Sequence, residues 1–242
     1  MEDTLEIKAK KIKYDKRTLE LINNLSRMNS KLSIEKSEDG KFVYVNGTNV
    51  DTSVFYGFKV SSDRFDFEGE QIVFQDYSQF YEYFNVLESP DIFQDDEKFE
   101  IKKGKSRISY YLADPDIIDE TFDGAEFEDP DYTFKLTKEE LKHIQKMINL
   151  FDAEKVTLTI ENKKITLKLS KEGNEKDNFY ETDFECSYAN DEEFSLPLKI
   201  SIWDNSPDGD YVINVKEEGI VNFSLVEEGV SLELYSGEIE EE

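Results

Sequence analysis

Lys138, Lys142 and Lys146 recur every fourth residue in the segment TKEELKHIQKMINLF, a spacing that lays one stripe of positive charge along a helix. Far from them in the sequence, Lys8, Lys10, Lys11, Lys13, Lys16, Arg17 and Arg27 crowd into residues 8–27. Ammonium and guanidinium groups on an exposed face make and break no bonds by themselves. They bind phosphate oxygens, with an affinity that does not depend on base sequence. In both segments the apolar residues take the opposite side: Leu21, Ile22, Leu25 and Met28 in one, Leu141, Ile144, Ile148 and Phe151 in the other. A solvated amphipathic helix of no special purpose has the same pattern. Two of them are harder to dismiss in a chain whose net charge is −27, where exposed faces should be acidic.

Other arrangements that could carry chemistry fail on spacing. Gly104-Lys105-Ser106 echoes the end of a phosphate loop, but the earlier glycine falls on Phe99, so a hairpin turn is expected. The run from Asp204 to Gly209 begins like a calcium loop, yet its twelfth position is Val215 rather than Glu. The single His143 excludes a site needing two imidazoles, and no triad partner is evident, so it reads as an exposed or boundary residue. The single Cys186 excludes a disulfide framework and a cysteine-held zinc. Carboxylates are too widespread to select an acid–base or metal pair. Trp203 is expected in a core or at a subunit junction. The sequence therefore points to no enzyme, no metal and no cofactor, and Asn46-Gly47-Thr48 and Asn222-Phe223-Ser224 match glycosylation acceptors by chance.

Composition sets the frame for these elements. The 242 residues include 29 basic and 56 acidic ones, and the charged share of 35% exceeds the usual ~25%. The apolar share is only 38%, but 18 Phe and 13 Tyr are enough for a core. No stretch approaches the ~18 apolar residues of a membrane span, and MEDTLEIKAKKIKYDK lacks the apolar centre of a signal peptide. A cytoplasmic protein is expected. An evenly spread negative charge would argue against DNA as a partner. It is not evenly spread: residues 1–36 carry a net +3 and residues 134–171 a net +4.

The two basic islands start about half a chain apart, and that offset exposes a repeat. LEIKAKKI leads through Asp15 into KRTLELINNLSRM and then LSIEK-SEDG-KFVYVN. YTFKL leads through Thr137 into KEELKHIQKMINLF and then VTLTI-ENK-KITLKL. Asp15 and Thr137 suit N-caps, and Thr137 with Glu140 forms a capping box. The strand pairs read as hairpins, the first turning at Asp39-Gly40. Further on, FDFEGEQIVF precedes Asp76, the helix-like YSQFYEYFNVLE and the strands KFEIKKG and SRISYYL. Its counterpart runs from FYETDFECSY and FSLP through a short helix LKISIWDN, bracketed by Pro197 and SPDG, to DYVINVK, GIVNFSLV and GVSLELYS. The fold class expected is α+β, in two similar domains, 1–114 and 132–242. Between them residues 115–131 form an acidic linker that also carries Ile117, Ile118, Phe122 and Phe127. Of the apolar strands, SRISYYL and GVSLELYS are both candidates for an interface edge.

The repeated strand–basic helix–hairpin units at 5–46 and 132–170 resemble the DNA polymerase sliding clamps, specifically those of T-even-like tailed phages. The helix DYSQFYEYFNVL followed by FEIKKGKSRISYYLADP, and the terminal LPLKISIWDN…GDYVINVKEEGIVNFSLV, carry the same resemblance over nearly the whole chain. The second helix of each half departs from it in having no strong basic stripe. The resemblance implies a homotrimeric ring, β-sheets outside and helices lining a central hole, that encircles double-stranded DNA and tethers the replicative DNA polymerase as a processivity factor. It implies an ATP-driven clamp loader as a further partner. Lys8, Lys10, Lys11, Lys13, Lys16, Arg17, Arg27, Lys138, Lys142 and Lys146 would then face DNA, with contacts weak enough to permit sliding. Ile118, Phe122, Leu232, Leu234 and Tyr235 would form a pocket for partner peptides beside the linker. Two competing readings remain: an acidic DNA mimic that inhibits a DNA-binding protein, which leaves the basic islands unexplained, and a metal-dependent nuclease, for which no carboxylate cluster has a suitable spacing.

Overall fold

The computed structural model describes residues 9–118, 127–161, 164–171, 179–188 and 194–237. They form two compact units, one from residues 9–47 and 59–118, the other from residues 48–58 and 127–237. The element order repeats. The first pass along the chain is β1 (Lys10–Lys11), α1 (Lys16–Leu25), β2 (Leu32–Lys36), β3 (Phe42–Thr48), β4 (Val54–Ser61), β5 (Gln71–Phe74), α2 (Tyr77–Val86), β6 (Asp91–Gln94), β7 (Lys98–Lys103) and β8 (Ser106–Tyr111). The second is β9 (Tyr132–Leu136), α3 (Lys138–Phe151), β10 (Lys155–Glu161), β11 (Lys164–Ser170), β12 (Tyr180–Tyr188), β13 (Phe194–Lys199), α4 (Ser201–Asn205), β14 (Tyr211–Lys216), β15 (Ile220–Leu225) and β16 (Val230–Gly237). Both passes read strand, helix, four strands, helix, three strands, as the offset of the basic islands suggested.

In the first unit β1, β6, β7 and β8 form an antiparallel sheet in that order, and β5, β2 and β3 lie side by side with β4 beyond them. Helix α2 buries Tyr77, Phe80 and Phe84. Phe80 meets Phe74 of β5 at 5.1 Å and Phe99 of β7 at 5.3 Å between ring centroids. Edge-to-face aromatic packing of this kind stabilises beyond its buried area. Tyr110 closes the cluster: its hydroxyl accepts from the Asp76 N–H at 3.0 Å and donates to the Asp76 carbonyl at 2.9 Å. Asp76 caps α2, its side chain accepting from the Gln79 N–H at 3.1 Å.

In the second unit the order is β13-β10-β11-β12-β9-β14-β15-β16, with residues 54–58 of β4 beside β16. Buried and open residues alternate cleanly, Val156, Leu158 and Ile160 on β10 and Tyr211, Ile213 and Val215 on β14 facing the core. That is the period-2 signature of a sheet with one solvated face. A register irregularity between Cys186 and Tyr188 marks the passage from β12 to β9. Trp203 of α4 is fully buried and stands edge-on to Phe223 of β15 at 4.6 Å. Of its two sequence expectations, the core is the one found.

Two expectations need correction. The helix over KRTLELINNLSRM stops at Leu25, so Arg27 and Met28 lie in the turn that follows it. Pro197 does not bracket α4 but sits within β13, an edge strand among the described residues, where Pro is tolerated.

Candidate nucleic-acid interface

Helix α1 begins at Asp15, whose side chain accepts from the Arg17 N–H at 3.3 Å and the Thr18 N–H at 3.2 Å. The same carboxylate takes a two-pronged contact from Arg64, at 3.1 Å from Nε and 2.7 Å from Nη2. Burial pushes the Asp15 carboxyl up, but the hydrogen bonds from Arg64 and Thr18 outweigh it and hold its pKa below the ordinary value. Leu19, Leu21, Ile22 and Leu25 are fully buried and fix the helix's orientation on its own unit. Ser26 at the C-cap meets Ser78 of α2 at 2.8 Å between hydroxyl oxygens. The face left open carries Lys16, with Arg27 continuing it past the last turn.

Of the bases expected here, Lys10 is paired with Glu68 and Lys11 with Asp91 at 2.6 Å. Arg17 is half-buried and lies 3.6 Å from Glu20. Lys13, Lys16 and Arg27 are exposed and make no ion pair among the described residues. Lys8 lies outside the described residues.

Helix α3 begins at Thr137 with the full capping box. The Thr137 hydroxyl accepts from the Glu140 N–H at 3.3 Å, and the Glu140 carboxylate accepts from the Thr137 N–H at 2.8 Å. Leu141, Ile144 and Ile148 are buried, and Phe151 half-buried. Gln145 donates to the carbonyls of Trp203 at 3.1 Å and Ser206 at 3.0 Å, tying α3 to the α4 end of its unit. Lys142 and Lys146 are exposed and Lys138 half-buried. Asp208, in the turn after α4, reaches Lys142 at 3.0 Å and Lys138 at 3.5 Å. Burial pushes the Asp208 carboxyl up, but Lys142 and Lys138 together hold it below the ordinary carboxylate value. Lys146 makes no ion pair among the described residues.

Each unit thus presents, at the same position of its repeat, a helix packed by its apolar face, with Lys16 and Arg17 against Glu20 on α1 and Lys138, Lys142 and Lys146 against Glu139 and Glu140 on α3, one net positive charge apiece. Neither α2 nor α4 contains a single Lys or Arg, so the departure noted in the second helices extends to their whole length. His143 is exposed and stands 5.6 Å from the Tyr180 ring. Among the described residues no group of three or more His, Cys, Asp or Glu is arranged to hold a metal ion, and no helix is long and apolar enough to cross a membrane.

The residues expected in a peptide pocket do not share one environment. Leu232 and Leu234 are fully buried on the core side of β16, which corrects their expected role as lining. A strand alternates its side chains between faces, and the residues that keep this sheet closed are not open to a ligand. Tyr235 is largely buried 6.5 Å from the Phe127 ring, and burial, aided by Glu233, pushes its phenol up to about 12. Ile118 is half-buried beyond the single-turn helix Pro115–Ile117. Phe122 lies outside the described residues.

Sequence reasoning missed three things here. Asp208 and Arg64 hold the basic helices' charges and caps from far along the chain, and no local pattern marks them. The third is a basic cluster on β7–β8, Lys98, Lys102, Lys103, Lys105 and Arg107, which a charge count over a ten-residue window would have found.

The chain is similar over nearly its whole length to solved sliding clamps. It matches Proliferating Cellular Nuclear Antigen from Entamoeba histolytica with a TM-score of 0.71 at 12% identity, covering 96% of this chain and 98% of that one. A structure of the C-terminal region of FEN-1 bound to A. fulgidus PCNA matches with a TM-score of 0.72 at 13% identity, covering 97% and 99%. PCNA from Thermococcus kodakaraensis matches with a TM-score of 0.72 at 11% identity, covering 95% and 99%. No protein-family model matches the sequence, and no curated protein does. The fold is therefore that of the PCNA-type clamps, α+β, as the resemblance implied.

Proposed function

We propose that this protein is a DNA sliding clamp, a non-catalytic processivity factor for DNA replication. The observation that carries the reading is the placement of α1 and α3. In a clamp fold of net charge −27, the two helices at equivalent repeat positions are the described helices that carry lysine and arginine, each with a small net positive charge. A ring holds duplex DNA by topology, so its lining needs only loose phosphate contacts, and an acidic exterior keeps DNA off other surfaces. Lys10, Lys11, Lys13, Lys16, Arg17, Arg27, Lys138, Lys142 and Lys146 are the proposed lining among the described residues.

Strand order supports closure from copies of the chain. β16, last of its repeat, lies beside residues 54–58 of β4, the fourth strand of a repeat. β8 is the equivalent last strand, and it has a neighbour on one side only among the described residues. β12 is the equivalent fourth strand, and over 180–185 it is paired on one side only among the described residues, with β11. Joining β8 of one copy to β12 of the next satisfies both edges. Of the two apolar segments considered as interface edges, SRISYYL is thus the free one, while GVSLELYS is interior. The narrower assignments are three copies to the ring and kinship with the T-even-like phage clamps. They rest on the sequence resemblance, as do the replicative polymerase and an ATP-driven loader as partners, and a cytoplasmic setting. The partner-peptide site beside the linker likewise rests on the sequence resemblance.

The test replaces Lys16, Arg17, Lys138, Lys142 and Lys146 together by Gln. Retention on circular DNA should fall while the melting curve stays within a few degrees of the parent. Unchanged retention would refute the assignment of these helices.

A further inference from the structure

The face of the β1-β6-β7-β8 sheet turned away from α2 is basic in an acidic molecule. Phe99 of β7 and Tyr110 of β8 meet Phe80 of α2 at 5.3 Å and 5.6 Å between ring centroids, so the helix covers the side that bears them. Side chains alternate along a strand, which puts Lys98, Glu100 and Lys102 of β7 and Arg107, Ser109 and Tyr111 of β8 on the other side. Phe93 of β6, opposite Glu100, joins them. Residues 98–107 hold five bases and one acid, a net +4 within ten residues, where α1 and α3 carry one net positive charge apiece. Asp91 of β6 lies opposite Lys102 but is already paired with Lys11 at 2.6 Å.

One carboxylate gathers these cations. The Glu100 side chain is only 10% exposed, and it is held by Arg107 at 2.8 Å, Lys98 at 3.5 Å and Lys102 in contact. The hydrogen bond from Lys102, aided by the charges of Arg107 and Lys98, outweighs burial and holds its pKa below the ordinary carboxylate value. Glu100 is therefore ionised at neutral pH. A network that only balanced a solvated sheet would match its cations with carboxylates. Here one negative charge draws in three cations and leaves two in excess. Lys103, which reaches the Glu88 carbonyl, and Lys105 in the adjoining turn are both exposed and add two more.

We propose that this face is a docking surface for an acidic, extended segment of a partner protein. Lys102, Lys103, Lys105 and Arg107 take its carboxylates, and Glu100 sets how tightly they do so. The proposal goes beyond the ring reading and does not depend on it. Charge complementarity selects the occupant. An acidic segment is repelled by most of a molecule of net charge −27 and is steered to the few faces of opposite sign. Lys98 and Lys102 lie about 14 Å apart along β7, four residues at ~3.4 Å each. An extended peptide has the same repeat, so carboxylates at its alternate positions keep step with the sheet. A single-stranded nucleic acid also seeks cations, but it needs bare aromatic rings on which to stack. Lys102 lies over the Phe93 ring at 4.9 Å and Lys98 over the Tyr111 ring at 5.9 Å, so a lysine already holds each ring.

The experiment is fluorescence anisotropy of the full chain with a labelled peptide of about twelve residues, alternating Glu and Ser, at ~0.1 M salt, where charges act over ~10 Å. The parent should bind it. Replacing Lys102, Lys103 and Lys105 together by Gln should weaken binding about tenfold, as expected for three exposed ion pairs. Glu100→Gln should tighten it by about threefold, because the cations it holds are released. Such a gain cannot come from a damaged fold. Replacing Lys138, Lys142 and Lys146 by Gln should leave the peptide's affinity as it was. The sheet variant should keep the parent's mass and its retention on circular DNA, so failure here and failure of the ring reading are separate results. A parent that does not bind the peptide, or a sheet variant that binds it as well as the parent, would overturn the proposal. A single-stranded oligonucleotide of about twelve thymidines that binds the parent more tightly than the peptide does, and is lost from the sheet variant, would assign the face to nucleic acid and overturn it as well.

Discussion

Helices α1 and α3 occupy the same place in the two repeats, yet their charges stand differently. Around α1, Lys13, Lys16 and Arg27 point into solvent with no ion pair among the described residues, and the acidic partner of the region, Asp15, is committed to the cap and to Arg64. On α3, Lys138 and Lys142 share Asp208, and Lys146 alone of the stripe makes no ion pair among the described residues. A phosphate arriving at α1 meets cations that are ready. At α3 it must first compete with a carboxylate for two of three. The same topology therefore leaves the cations of the two repeats differently paired, and the difference lies in one aspartate that no helix pattern contains.

The largest effect expected from breaking this contrast is on DNA. Changing Lys13, Lys16 and Arg27 to Gln should flatten the salt dependence of DNA binding by about two to three units of log–log slope, at about 0.9 for each phosphate no longer neutralised. The same change at Lys138, Lys142 and Lys146 should flatten it by about one to two units, because two of those cations begin partly neutralised. Equal slopes, measured by salt titration on circular DNA, would show that Asp208 does not hold the lysines in solution. Asp208→Asn should sharpen the result by making α3 behave as α1 does, tightening DNA binding with a stability change below about 1 kcal/mol, as exposed ion pairs contribute little.

A smaller effect concerns the caps. Asp15→Ala removes the N-cap of α1 and leaves Arg64 without its carboxylate, and should cost about 2 kcal/mol, the upper end for a cap. Thr137→Ala removes a cap alone, at about 1 kcal/mol. At this chain length each kcal/mol lowers the melting temperature by about 2–4 °C. Calorimetry that found Thr137→Ala the more damaging would reverse the ranking. The smallest effect is on pH. Asp15 and Asp208 both have folded pKa values below the ordinary carboxylate value of ~3.9. Their contribution to stability is present above that value and lost as pH falls through the lower folded pKa. Acid melts should therefore converge: the gap between the parent and Asp15→Asn should close below about pH 4, with Trp203 emission reporting the second unit.

What was legible in the sequence was local. Asp15 and Thr137 with Glu140 announce their helices because a cap bonds within three residues of itself. The Asp39-Gly40 turn reads correctly because Gly40 adopts φ +68°, a backbone that few other residues take. Burial of Leu141, Ile144 and Ile148 followed from period alone. What was not legible joined distant residues: Arg64 to Asp15, Asp208 to Lys142, Gln145 to the carbonyls after α4. Pro197 misled because its effect depends on whether a strand is at an edge, which is a property of the sheet and not of the segment. Leu232 and Leu234 misled for a related reason. An apolar strand reads alike whether it lines a groove or fills a core, and β16 turned out to be interior. The bases of β7–β8 escaped because a helical stripe repeats every third or fourth residue, whereas a strand spreads its charges over alternate ones.

The most direct measurement of the central claim is retention on circular against linear DNA. The assembled protein is placed on a nicked circle, and the circle is then cut once. Topological encirclement predicts that protein stays on the intact circle at a salt concentration that removes simple phosphate binders, and runs off within the dead time once an end is made. Equal retention on both forms, or none on either when the assembly is shown to be intact, would contradict the account.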